Sequence, residues 1–219
     1  MPRALEFAVV FIVLPALLAL SRRRPPVLPA LWLIAGLCLL LLLRDPAMDR
    51  RQLWNARALP AYLLRSAPGL LPGILPLFAA TALVLALAMR RFAPDLFLKL
   101  PRRNPLLWAA ILVLYPVLSV YPQSIVYRAF LFHRYEAMFG GAGATVVAGA
   151  LAFGFMHVVF RNPYAVALTT LAGLLFAARY VQTGSLFVST FEHALYGCLI
   201  FTIGLGRFFY RGAVPRQTP

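Results

Sequence analysis

Long, nearly uncharged apolar stretches, closed off by arginines, constrain this chain more than any other feature. A helix that spans a bilayer needs about 20 mostly apolar residues and at least about 17. Seven stretches meet that condition, at 4–20, 27–43, 70–89, 105–122, 142–160, 163–181 and 185–205. The chain is 62% hydrophobic and 12% charged, whereas a soluble domain has about 45–50% apolar and about 25% charged residues. A core built from 219 residues cannot hide that excess, so it must face lipid. The expected fold is an all-α, polytopic membrane helix bundle, a single domain over 1–219. The protein is expected in a bacterial or archaeal cell membrane.

Charge is lopsided, with 21 Lys and Arg against 6 Asp and Glu, a formal +15. A groove for nucleic acid should be densely and continuously basic. Here the basic residues sit in short clusters between apolar runs, such as Arg22-Arg23-Arg24, Arg90-Arg91 and Arg102-Arg103. They read as loop anchors, and no nucleic-acid partner is expected. Counted by alternate loops, twelve basic residues share a side with the C-terminus and nine make up the rest, which weakly favours a cytoplasmic C-terminus. The stretch 44–69 interleaves arginines and aspartates with Leu53, Trp54, Leu59 and Tyr62, a pattern that fits an amphipathic interfacial helix slightly better than a structured loop. The first run is followed by Ser21 and three arginines instead of a small-residue cleavage site, so it reads as a retained membrane segment. Cys38 and Cys198 lie in apolar runs and read as free thiols.

Polar side chains inside a span are expensive, and each is a functional hypothesis. They are Gln123, Ser124 and Arg128 on the fourth span, His157 on the fifth, and Glu192 and His193 on the seventh. If the fourth helix continues past Pro122 to about Tyr135, Gln123 lies ~18 Å from that membrane face, His157 ~22 Å and His193 ~12 Å, at 1.5 Å per residue. One slab of the membrane then holds all three. Ser124 and Arg128, Phe153 and His157, and Ser189 and His193 are each four residues apart and share a helix face. Glu192 points about 100° away from His193 and reads as one half of an ion pair with Arg179 or Arg128. His133, near Arg134 and Glu136, reads as solvated or interfacial, and the aromatic run Phe208-Phe209-Tyr210 as an interfacial belt.

These residues resemble the CPBP intramembrane proteases, the CAAX-protease and bacteriocin-processing family that includes the Rce1-type CAAX prenyl endopeptidases. That family carries Glu-Glu-x-x-x-Arg on one membrane helix, Phe-x-x-x-His on the next and His-x-x-x-Asn or Asp on a later one. The second motif is present as Phe153-Gly154-Phe155-Met156-His157; the first reads Gln123 to Arg128 and the third His193-Ala194-Leu195-Tyr196-Gly197. The resemblance covers about 105–205, in matching order and spacing. It implies a helical bundle whose polar cavity cuts a membrane-anchored peptide or protein near its C-terminus. A motif-one glutamate would activate water, and the histidines and motif-three residue would hold that water or the oxyanion. The candidate catalytic residues are thus His157, His193, Arg128, Gln123 and Ser124.

Both motif-one glutamates are replaced here, by Gln123 and Ser124, and neither accepts a proton from water as a carboxylate does. Gly197 removes the motif-three side chain. No cofactor is expected, because two histidines without a third clear ligand make a poor zinc site. Four readings stay open at this point. The chain is a catalytically weakened member that binds a membrane peptide, or an active one in which a histidine or Glu192 supplies the base. Otherwise it is a serine-type enzyme using Ser124, or a non-catalytic membrane scaffold, transporter component or immunity protein.

Overall fold

A computed structural model describes residues 2–21, 26–64 and 71–209. Arg22, Arg23, Arg24, Arg65, Tyr210, Arg211 and Arg216, counted above as anchors or belt residues, lie outside the described residues. Among the described residues, seven helices are long and apolar enough to cross a membrane. They are α1 (Arg3–Leu20), α2 (Val27–Arg44), α3 (Ile74–Phe92), α4 (Pro105–Phe139), α5 (Ala142–Phe160), α6 (Pro163–Thr183) and α7 (Leu186–Ile203). The protein is an integral, multi-pass membrane protein with an all-α fold. Large apolar side chains such as Leu33, Leu83 and Leu106 stand exposed on α2, α3 and α4, where the solvent is lipid.

α4 is the unusual element. Its 35 residues extend ~52 Å at 1.5 Å per residue, well beyond the ~30 Å hydrocarbon core. The helix therefore does not end at 122, and the polar residues that follow lie within it. Two wide π-type turns interrupt it, at Pro116–Val120 and Ile125–Phe130. Proline has no N–H and leaves the carbonyl four residues earlier without its helical donor. Both freed carbonyls find other donors. The Trp32 indole on α2 donates to Leu118 O at 3.0 Å, and the Cys198 thiol on α7 lies 3.9 Å from Leu112 O. The prolines thus open the places where α2 and α7 are fastened to α4.

The chain crosses back and forth, so loops gather at two faces. At one, Arg134 on α4 forms a bidentate pair with Glu6 on α1 (2.6 and 2.8 Å), and the Tyr135 hydroxyl donates to the same carboxylate. His133 is not simply solvated there: its Nε2 donates to Asp45 at 2.8 Å. That bond, with the Ala47 N–H, holds the Asp45 carboxyl below its usual range. A depressed carboxyl stabilises the fold above its ordinary pKa and loses that contribution as pH falls through the folded value. Acidification below about pH 4 should therefore loosen the junction of α2 with α4. Hydrogen exchange at residues 45–48 checks this, and Asp45→Asn should leave that exchange loose at every pH. The amphipathic stretch folds as three short pieces, Arg51–Trp54, Ala56–Ala58 and Leu59–Leu63. Ser185, the N-cap of α7, donates its hydroxyl to Asn55 O there at 2.9 Å, and Tyr62 donates to Gln182 O at 3.2 Å.

At the opposite face, Arg161 adopts a left-handed conformation between α5 and α6 and donates to Ala19 O at the end of α1 (3.0 and 3.3 Å). Asn162 then caps α6, its side chain accepting from Tyr164 N at 2.9 Å, with Pro163 at the first position, where a missing N–H costs nothing. Close contact between α5 and α6 depends on Gly173, where an added Cβ would lie 3.1 Å from the Ala150 Cα and 3.2 Å from the Phe153 ring. Phe153, the pivot of the candidate site, is fixed by that approach.

Candidate active site

Three sequence-predicted residues surround the buried Phe153 ring. The Arg128 guanidinium lies 4.6 Å from its centroid, the His157 ring 4.9 Å and the His193 ring 5.4 Å, edge-on. Phe176 on α6 is a second pivot, with His193 stacked on it at 4.5 Å and Arg128 at 5.3 Å. Residues from α4, α5 and α7 therefore meet around two phenylalanines. Beside them lies a cavity of about 640 Å³, and Gln123, His157 and His193 all stand on its wall. The rest of the wall is mainly apolar and runs toward the face that carries Lys99, Arg102, Arg103, Arg161 and Arg207, since Leu28, Leu107, Phe160 and Leu205 line it.

Each polar side chain is positioned by a local bond. His157 Nδ1 lies 2.7 Å from Phe153 O, and a carbonyl only accepts, so Nδ1 carries the proton and Nε2 the lone pair. Gln123 donates its amide to Ser119 Oγ at 2.8 Å. Ser124 is fully buried, its hydroxyl donating to Val120 O at 2.9 Å, and it is not on the cavity wall. That bond is the ordinary one for a serine inside a helix, and it leaves a serine-type reaction without an exposed nucleophile. Arg128 is 1% exposed, and its Nη1 and Nη2 have no hydrogen-bond partner among the described residues. Cation–π contact with two rings supplies about 2 kcal/mol or more when desolvated, against several kcal/mol for removing an ion from water. The guanidinium is incompletely compensated.

Glu192, in contrast, is taken. Arg179 donates to both of its carboxylate oxygens (2.8 and 3.2 Å), to Gln182 and to Pro72 O. With both side chains fully buried, Glu192 is the structural partner of Arg179 and does not reach the cavity wall. The third-motif position, Gly197, is occupied from outside by an aromatic ring. An added Cβ would collide with Tyr115 and lie 2.9 Å from its hydroxyl. Tyr115 and Phe176 were not foreseen, because an aromatic residue within a span carries no polar signal. Among the described residues no three His, Cys, Asp or Glu stand together, so His157 and His193 fall short of the three or four protein ligands of a zinc site.

Residues 103–199 match the Rce1-like family, type II CAAX prenyl endopeptidase Rce1-like. This segment is Rce1-like. The expected CPBP/Rce1-type resemblance is borne out there, and the Rce1-like segment contains all of Gln123, Ser124, Arg128, His157, His193 and Gly197. No characterised protein and no solved structure matches the chain significantly. At the level of the family, the matched segment is similar to CAAX-type intramembrane endopeptidases.

Proposed function

We propose that the cavity receives the C-terminal part of a membrane-associated peptide and that His157 is the base for its hydrolysis. The carrying observation is the 2.7 Å bond from His157 Nδ1 to Phe153 O, which leaves the Nε2 lone pair available to a water in the cavity. Histidine is the commonest general base, and an apolar cavity with few polar groups suits a peptide that arrives through lipid. Water gives a proton to Nε2 as its oxygen attacks the scissile carbonyl carbon. The imidazolium then returns that proton to the leaving amine, so His157 ends as it began. Gln123 and His193, on the same wall, orient the water and donate to the oxyanion. Arg128 is a positioning residue behind Phe153 and Phe176, and Ser124 takes no part in proton transfer.

The orientation of the bundle supports a cytoplasmic mouth. Two of the nine basic residues on the less basic side, Arg128 and Arg179, are buried in the bundle and anchor no loop. The balance becomes twelve against seven, and positive loops stay inside. A second reading, binding without cleavage, is favoured by one observation: no carboxylate stands on the cavity wall. The two readings separate when the purified chain, in liposomes, is given a peptide with an N-terminal membrane anchor and the products are mapped by mass spectrometry. A shortened peptide cut near its C-terminus is the expected product. Intact peptide that still co-purifies with the protein would remove hydrolysis and leave binding.

A further inference from the structure

Among the described residues two guanidinium groups are fully buried, Arg128 and Arg179, and their surroundings differ in one respect. Arg179 makes four hydrogen bonds, two of them to Glu192. Arg128 has two nitrogens with no partner and lies over two aromatic faces. All six acidic side chains of the chain lie among the described residues, and none pairs with Arg128. Glu6, Asp45 and Glu192 pair with Arg134, His133 and Arg179, while Asp49 and Asp95 lie in the joints and Glu136 near the end of α4. Ser124, one turn before Arg128 on the same face, is too short to replace an acid and bonds back to Val120 O. A second buried nitrogen without a partner, His193 Nδ1, belongs to the ring stacked on Phe176, which Arg128 also covers. The π-type turn at Ile125–Phe130 widens α4 at this point, a feature frequent at functional sites.

We infer that Arg128, with His193 beside it, is a binding site for a carboxylate that the ligand supplies in place of the one this chain lacks. A planar guanidinium matches a carboxylate with two parallel N–H bonds, and Nη1 and Nη2 are the two free groups. The anion comes from the cavity by rotation of Phe176, which borders it. Its source is the terminal carboxylate of a bound peptide or a small free acid such as formate. The inference concerns the same cavity as the proposed function and rests on that reading for its peptide source alone.

The test titrates ¹³C-formate into the full chain in detergent micelles, with chloride holding ionic strength constant. A saturable formate resonance shift and a rise in Tm of about 2–4 °C are expected. Ser124→Ala should retain both. Ser124→Glu, which supplies its own carboxylate to Arg128, and Arg128→Gln should lose them. A peptide acid that displaces formate where its C-terminal amide does not identifies the chain end as the source, and displacement by neither identifies the small free acid. No saturable response in folded wild type, or an undiminished response in folded Ser124→Glu, would overturn the site. Formate binding in a protein that cleaves nothing would overturn hydrolysis and leave the carboxylate site standing.

Discussion

Gln123→Glu is expected to raise the rate of peptide cleavage by about 10²-fold or more, within the range a positioned general base supplies. Position 123 is on the cavity wall, and Ser119 Oγ is already 2.8 Å from its side chain. With a carboxylate there, the Ser119 hydroxyl donates to one oxygen and the other faces the cavity, where it takes a proton from water more readily than an amide can. Ser124→Glu differs because position 124 is buried off that wall. Its acid pairs with Arg128 and should change the rate far less. Single-turnover cleavage in liposomes measures both. A larger gain from position 124 than from 123 would show that α4 turns about its axis at the π-type segment during the reaction.

The second large effect concerns stability. Glu192→Ala strands Arg179 in the bundle, and loss of one partner of a buried pair costs about 3–5 kcal/mol. That corresponds to a fall in Tm of about 10 °C for a chain of this size, read by thermal unfolding in detergent. The same arginine ties α6 to α7 and to the Pro72 carbonyl just before α3, so the damage spreads beyond one helix. Replacing both partners with apolar residues, Arg179→Leu with Glu192→Met, should recover most of the loss, since the charge that must be compensated is gone. The double variant should also recover cleavage, because Glu192 stands off the cavity wall.

The seven spans were legible because hydrocarbon excludes charge, and the arginines between them mark their ends within a few residues. The continuation of α4 past Pro122 was legible only as the condition on which the depths were reckoned. Gln123 and Ser124 look like the end of a span, yet the polar groups they add are satisfied within the helix, by Ser119 and Val120 O. The carbonyls freed by Pro116 and Pro122 are met by side chains from other helices, which no local pattern announces. Depth along the helices was enough to bring Gln123, His157 and His193 into one slab, and all three stand on the cavity wall. Spacing could not say that Ser124 turns away while Gln123 faces in, since that depends on the rotation of α4 against α5 and α7. The choice of Arg179 over Arg128 for Glu192 is likewise a tertiary matter. So is the use of the Tyr115 ring to fill the space over Gly197.

The account depends most on His157, and cleavage of an anchored peptide by wild type and by His157→Ala, side by side in liposomes, tests it most directly. The imidazole that moves the proton is predicted to contribute about 10²–10⁴-fold, so the variant should lose nearly all turnover while keeping peptide binding and its Tm. Equal rates in the two proteins, with both folded, would contradict the assignment and take the base away from this cavity.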